Sequence, residues 1–169
     1  MKILVRSLSA AIIMIAFSLN ANAQASATAD ASATIITPIA ISVSANMDFG
    51  NVAASAALGT VILATDGSRS VTGGVTLPAT AGSPTQAIFS VTGETGFTYS
   101  IALPGSITLD DGATHTMTVD TFTSNPSGTG TLTGGSETLN VGATLRVAAS
   151  QAAGTYTNSG DLTVTVNYN

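Results

Sequence analysis

Side chains that could perform chemistry are few and scattered along this chain. The single histidine, His115, stands in the segment THTMTV, where polar and apolar residues alternate as they do along a β-strand. Serines are abundant, but no GxSxG motif places one as a nucleophile, and no spacing connects a serine to His115. We therefore expect His115 at a surface or strand edge and no catalytic residue in the chain.

The carboxylates give no clearer signal for a reactive site. Asp110 and Asp111 are adjacent and precede Gly112, a pattern that favours a turn over a pair of catalytic acids. Hard oxygen ligands there would suit calcium, although the EF-hand loop pattern is missing. We expect no cofactor and no metal, with a calcium ion near Asp110 and Asp111 as the open alternative.

The first 23 residues have the organisation of a secretory signal peptide. Lys2 and Arg6 precede an apolar run from Ala10 to Phe17, and Ala21 and Ala23 are the small residues that signal peptidase requires. A membrane anchor is the competing interpretation, but the apolar run is shorter than the ~20 residues that cross a bilayer. We expect cleavage before Gln24, secretion to the periplasm or outer surface, and no stable membrane insertion of the mature chain.

The composition of residues 24–169 excludes several classes of protein. Arg69 and Arg146 are the only strong bases against nine acidic residues, which leaves a net charge of −7 and argues against nucleic-acid binding. There are no cysteines, so an exported fold must be held by burial alone. Recurrent Ile, Val and Leu argue against disorder, and the length suits one domain, which we place at residues 38–169.

Period-two hydrophobicity separated by turn residues predicts an all-β, immunoglobulin-like antiparallel sandwich without a helix after residue 23. A closed barrel is the alternative, but the chain has no tryptophan and few other aromatic residues. The predicted strands are residues 25–37, 39–44, 60–65, 70–77, 86–92, 96–103, 114–122, 137–141, 144–149 and 161–168, with a hairpin turn at residues 66–68.

Residues 24–37 form an N-terminal extension with an unusually long alternation. Alanines occupy the odd positions from Ala25 to Ala33, followed by Ile35, while Ser, Thr and Asp occupy the even positions. Such a segment could add as a strand to an open groove of a neighbour, with every second side chain entering the core. Ala29, Ala31, Ala33 and Ile35 are the candidate contacts. A flexible N-terminus is the equally open alternative.

The segment AGTYTNSGDLTVTVNYN places Leu162, Val164, Val166 and Tyr168 on one face of a final strand. This resembles the ending of chaperone-usher pilin subunits, which have a penultimate tyrosine, and that of spore coat protein U. Together with MDFGNV at residues 47–52, it looks most like the secreted family called domain of unknown function 4402, which is thought to be pilin-like. The resemblance covers roughly residues 35–169.

The resemblance implies a non-enzymatic structural subunit of a pilus-like or surface-coat assembly. It also implies self-assembly and a periplasmic chaperone that grips the strand of Leu162, Val164, Val166 and Tyr168. A secreted carbohydrate- or surface-binding adhesin module is the alternative function. The aromatic rings available to a sugar in that case are those of Tyr99, Phe122 and Tyr156.

Overall fold

A computed structural model describes residues 24–169, so the predicted signal peptide lies outside the described residues. The chain separates into two units, Met1–Ile35 and Ile36–Asn169. In the first unit, residues 24–35 are exposed and carry no secondary structure. The fold described below is that of the second unit.

Ten strands and one short 3₁₀ turn make up this unit, and residues 24–169 contain no α-helix. Every strand pairing is antiparallel, so the prediction of an all-β antiparallel sandwich is confirmed. The strands are β1 (Ala40–Ala45), β2 (Gly59–Leu63), β3 (Arg69–Gly73), β4 (Ala87–Thr92), β5 (Thr98–Ala102), β6 (Ser106–Asp110), β7 (Thr116–Asn125), β8 (Thr129–Thr131), β9 (Ser136–Val147) and β10 (Thr165–Tyr168).

The larger sheet is built around β9, which pairs along both of its edges. Its first half pairs with β4 and its second half with β2, while β7 pairs along the opposite edge and carries β6. The pairing with β7 shifts between Asp120 and Thr123, around Thr121, which has a positive φ of 51°. Such a bulge bends a strand and increases its twist. The sheet therefore curves around β9, with β1 and β3 at the ends of the β1-β4-β9-β2-β3 path.

The smaller sheet has the order β10-β5-β8. Its inward side chains pack with those of β4 and the first half of β9 in one core cluster, which includes the fully buried Tyr99 and Leu139. A second cluster lies under β2, β7 and the second half of β9 and includes Val119 and Leu145. Met47, Phe122 and Leu162 pack against both clusters and connect them.

Among residues 24–169, no helix has the length and apolar character that crossing a bilayer requires.

The predicted strand at residues 25–37 is wrong, because the first strand begins at Ala40. Alternation allows a segment to be a strand, but a strand also needs a main-chain partner. Residues 24–35 have no strand partner in the structure. Ile35, the largest apolar side chain of this segment, is 97 % exposed.

Other boundaries differ where glycine was interpreted as a break or a turn. Residues 137–141 and 144–149 were predicted as two strands, but β9 continues through Gly142, which pairs with Thr123. A methyl group at Gly142 would overlap the carbonyl oxygen of Leu63, so glycine there permits close approach of two backbones. Strands β6 and β8 were not predicted, and β10 begins at Thr165 rather than at residue 161.

The core predicts a clear contrast between two apolar truncations. Leu139→Ala removes a fully buried side chain and should lower the free energy of unfolding by about 2–5 kcal/mol in urea titrations. Ile62→Ala, at a β2 position that is 40 % exposed, should lower it by at most about 1 kcal/mol. Equal losses for the two variants would contradict the assignment of these faces.

Candidate functional site

A groove of about 1220 Å³, partly open to solvent, runs along the second core cluster. Two long stretches of chain, residues 43–54 and residues 151–162, contribute most of its lining and form its walls. Both are irregular apart from residues 43–45, which are the end of β1. Core side chains such as Phe89, Val119 and Leu145 also line it. Each of these three is at most 5 % exposed, so the hydrophobic core itself forms part of the groove lining.

The wall at residues 43–54 is held by hydrogen bonds to residues 69–85. Asp48 exchanges two main-chain hydrogen bonds with Thr85, and the amide of Asn51 donates to the carbonyl of Ala81. The guanidinium of Arg69 donates to the carbonyl oxygens of Phe49 and Asn51 at 2.6 and 3.2 Å. This wall is therefore anchored to residues 69–85, although only its first three residues belong to a strand, β1.

The wall at residues 151–162 is anchored in a similar way to β6 and its surroundings. Thr157 exchanges two main-chain hydrogen bonds with Asp110, and the side-chain amide (Nδ2) of Asn158 donates to the carbonyl of Thr108 at 2.7 Å. The side chain of Gln151 donates to the Tyr156 hydroxyl, which donates to the carbonyl of Ala152. Isolated contacts of this kind fix the path of the wall but leave most of its backbone unpaired.

Main-chain groups without partners occur along both walls. Among the described residues, the amides of Met47, Phe49 and Val52 on one wall have no hydrogen-bond acceptor, and neither do those of Tyr156 and Asn158 on the other. Unpaired amides therefore occur in both walls of the groove. An added strand could supply main-chain acceptors to such groups.

The free edge of β1 leads into this groove. Within the described residues β1 pairs only with β4, and its sequence AISVSA has no charge and no proline. Val43 on this strand is 61 % exposed and lines the groove together with Ala45. Edge strands usually carry charge, proline or a cover against unwanted pairing. An uncharged edge beside an apolar groove is suited to accepting another strand.

The structure brings together the predicted residues of the final strand but not those of the extension. Val164 and Val166 are buried, while Leu162 and Tyr168 are half-buried and pack against the same core cluster, so the predicted inward face is present. Leu162 also lines the groove. The other four predicted site residues, Ala29, Ala31, Ala33 and Ile35, are exposed on residues without secondary structure.

Tyr168 makes a contact that the sequence did not indicate. Its hydroxyl donates to the carbonyl of Thr37 at 2.7 Å and accepts the amide of Glu94 at 2.6 Å, while the amide of Thr37 donates to the Glu94 carboxylate at 2.8 Å. The bond from Thr37 holds the pKa of Glu94 below its usual value. We call these three residues the Thr37 clasp. The partners are 57, 74 and 131 positions apart, so no local pattern could have revealed it.

His115 and its neighbours form a structural turn rather than a reactive site. His115 precedes β7 instead of lying on it, and its Nδ1 is 2.6 Å from Oδ2 of Asp111. The Asp110 carboxylate accepts the amide of Gly112, and Asp111 accepts the amides of Ala113 and His115. In residues 24–169 no three His, Cys, Asp or Glu side chains lie close enough to hold a metal ion.

The three aromatic rings predicted as candidates for sugar stacking are all at least partly buried. Tyr99 is fully buried, and its hydroxyl donates to Glu137 at 2.9 Å, while burial raises the pKa of Tyr99. Phe122 is half-buried between the core clusters, and Tyr156 is half-buried in the groove wall. Phe97, which the sequence did not single out, is 41 % exposed and packs edge-on against Tyr168, with ring centroids 5.6 Å apart.

Comparison with known proteins gives one match, to a family model described as a domain of unknown function, DUF4402, over residues 39–168. The chain belongs to the DUF4402 family. The prediction of this family from the sequence is therefore confirmed, whereas likeness to spore coat protein U is not shown. No curated protein and no solved structure matches the chain. The match includes β1 and β10 and both walls of the groove, and it leaves out residues 24–38.

The Asp111 turn of this DUF4402 domain predicts an unusually acidic carboxyl group. Hydrogen bonds from the His115 ring and from the amides of Ala113 and His115 lower the pKa of Asp111 from 3.8 to about 2. Because the folded pKa lies below the ordinary value, this contribution to stability is complete above pH 3.8 and is lost as the pH falls towards 2.

Carbon-detected NMR titration of the carboxyl groups tests this assignment. His115→Ala removes the ring donor and should raise the pKa of Asp111 towards its ordinary value. Asp66, whose pKa is lowered by its own bonds with Ser68, should be unchanged and serves as the control. An Asp111 titration that is the same in both proteins would show that the histidine ring does not stabilise the carboxylate.

Proposed function

We propose that this protein is a secreted, non-enzymatic structural subunit that assembles at the bacterial surface into a pilus-like or coat-like polymer. Subunits join when an extended segment of one chain adds as a strand in the groove of another. The single observation that carries the proposal is the groove itself, with unpaired main-chain amides in each wall and core side chains against it.

Strand addition is supported by the length of the two walls and by their unpaired amides. A partner in extended conformation could supply main-chain donors and acceptors along both walls. The walls at residues 43–54 and 151–162 each span twelve residues. A strand of that length extends about 40 Å and could pair with both walls at once.

The N-terminal extension has the properties of such a strand. Residues 24–35 number twelve, are exposed and have no strand partner of their own. Their alternation puts Ala29, Ala31, Ala33 and Ile35 on one face. Ile35 supplies the largest apolar area on that face. The Ser and Thr residues of the opposite face would remain towards water.

Blocking the β1 edge tests the groove. Val43→Lys places a charge at an exposed groove position and should weaken self-association of residues 24–169 at least about tenfold, because assembly would bury that charge. Ile62→Lys adds the same charge at an exposed position of β2 away from the groove and should have little effect. Sedimentation velocity over a range of concentrations measures both. A wild-type protein that stays monomeric at every concentration would refute assembly.

Alternation within the extension gives a second, matched test. Ala31→Glu would direct a carboxylate into the groove and should suppress assembly about as strongly as Val43→Lys does. Ser32→Glu changes the neighbouring residue, on the face left in water, and should assemble almost as wild type. Light scattering of the two variants at equal concentration decides the point. Equal suppression, or none in either variant, would exclude residues 24–35 as the added strand.

A further inference from the structure

Thr37, the last residue of the N-terminal extension, is fixed by hydrogen bonds to both its main-chain amide and its main-chain carbonyl. The amide of Thr37 donates to Glu94, and its carbonyl accepts the Tyr168 hydroxyl, which also accepts the amide of Glu94. The three residues of the Thr37 clasp therefore form a closed ring of hydrogen bonds. Thr37 cannot change direction without breaking at least one of them.

Surrounding residues hold Tyr168 in this position. A methyl group on Gly93 would overlap the Tyr168 hydroxyl, so glycine there lets the ring approach the 93–94 backbone. The Phe97 ring packs edge-on against the tyrosine at 62°, and the backbone of Tyr168 is paired with Tyr99 in the smaller sheet. The hydroxyl is thus aimed by packing on the ring and by strand pairing behind it.

The clasp and the groove lie at opposite ends of β1. At the clasp end Ala40 pairs with Thr92, two residues before Glu94, whereas Val43 and Ala45 at the other end line the groove. From Thr37 to Val43 is six residues, which is about 20 Å of extended chain. Leu162, which also lines the groove, lies three residues before β10, whereas Tyr168 of the clasp is the last residue of that strand.

This separation limits what an extension can reach in its own subunit. To enter its own groove, the chain would have to reverse at the clasp and spend about 20 Å in returning, which uses half of its ~40 Å length. Only half of each twelve-residue wall could then be paired. An extension that leaves the clasp without reversing keeps all twelve residues for the groove of another molecule.

We propose that the Thr37 clasp commits each extension to the groove of a second copy of this chain, with Thr37, Glu94 and Tyr168 as positioning residues. The inference rests on the proposed function, since it concerns which groove the extension enters. Such a contact joins different surfaces of two identical subunits. Contacts of this type repeat without closing and give an open filament unless the rotation between subunits happens to form a ring.

The experiment measures directly whether the extension enters its own groove or that of another copy. The chain has no cysteine, so Thr28→Cys, on the outward face of the extension, can be labelled uniquely with a benzophenone. Equal amounts of ¹⁵N-labelled and unlabelled residues 24–169 are mixed, assembled and photo-cross-linked. Mass spectrometry of cross-links to the groove walls then separates mixed-isotope pairs, which are intermolecular, from single-isotope pairs.

With the clasp intact, mixed-isotope pairs should approach half of these cross-links, as random mixing of intermolecular contacts requires. Tyr168→Phe keeps the ring but removes the hydroxyl, and Glu94→Gln weakens the bond to the Thr37 amide. Each variant should raise the ratio of intramolecular to intermolecular cross-links by about 2–10-fold, the effect of one hydrogen bond. Glu94→Gln, in a loop, provides the measurement if Tyr168→Phe does not fold.

Tyr99→Phe is the matched control, because it removes a more deeply buried hydroxyl that does not touch Thr37. It should lower stability without changing the cross-link ratio. If Tyr168→Phe and Glu94→Gln both leave the ratio at the wild-type value while assembly continues, the clasp does not select the partner, although the proposed function stands. If the wild type yields no cross-links to the groove walls, strand addition by the extension is itself refuted, and this inference with it.

Discussion

The pairing of β9 along both edges is the constraint on which the rest of the sandwich depends. One edge is divided between β4 and β2, and the other is covered by β7, so a single strand aligns both halves of the larger sheet. Its inward side chains enter both core clusters, with Leu139 and Val141 in one and Leu145 and Val147 in the other. A slip of one residue in this strand would turn all of these side chains to the opposite face.

Burial of apolar side chains around β9 stabilises the fold in the absence of disulfides. There are no disulfides, and both arginines of the described residues are already engaged, Arg69 with main-chain carbonyls and Arg146 with Asp120. No buried side-chain polar atom among those residues is without a partner. The unpaired polar groups are instead in the backbone, along the groove walls. Hydrogen bonding is therefore complete among the buried side chains of the described residues and partial in the backbone of the groove walls.

Alternation in the sequence was sufficient to predict the all-β class, the β2-β3 hairpin and the inward face of Val164 and Val166. It failed where a strand depended on a distant partner. Residues 25–37 alternate well but have nothing to pair with, while β8 is a strand although its central residue is Gly130. Glycine is needed there because a methyl group would overlap the Tyr99 ring, a contact that only the folded chain reveals.

The groove and the Thr37 clasp could not have been predicted for the same reason. Whether residues 151–162 remain outside the strands depends on how the other segments pair, and no local pattern encodes that pairing. The sequence did identify the alternation of the extension and the face of the final strand, which are properties of single segments. It could not indicate that Tyr168 from one segment would meet Thr37 from the other.

The clasp also has a consequence for the order of events in time. Its tyrosine and threonine are 131 residues apart, and the contact requires β10 to be seated beside β5. Closing a loop of that length costs more conformational entropy than a local contact does, so we expect the clasp to form after the local strand pairings. In the proposed assembly, a subunit would then present its extension to a neighbour only once its own fold is complete, so that maturation would precede recruitment.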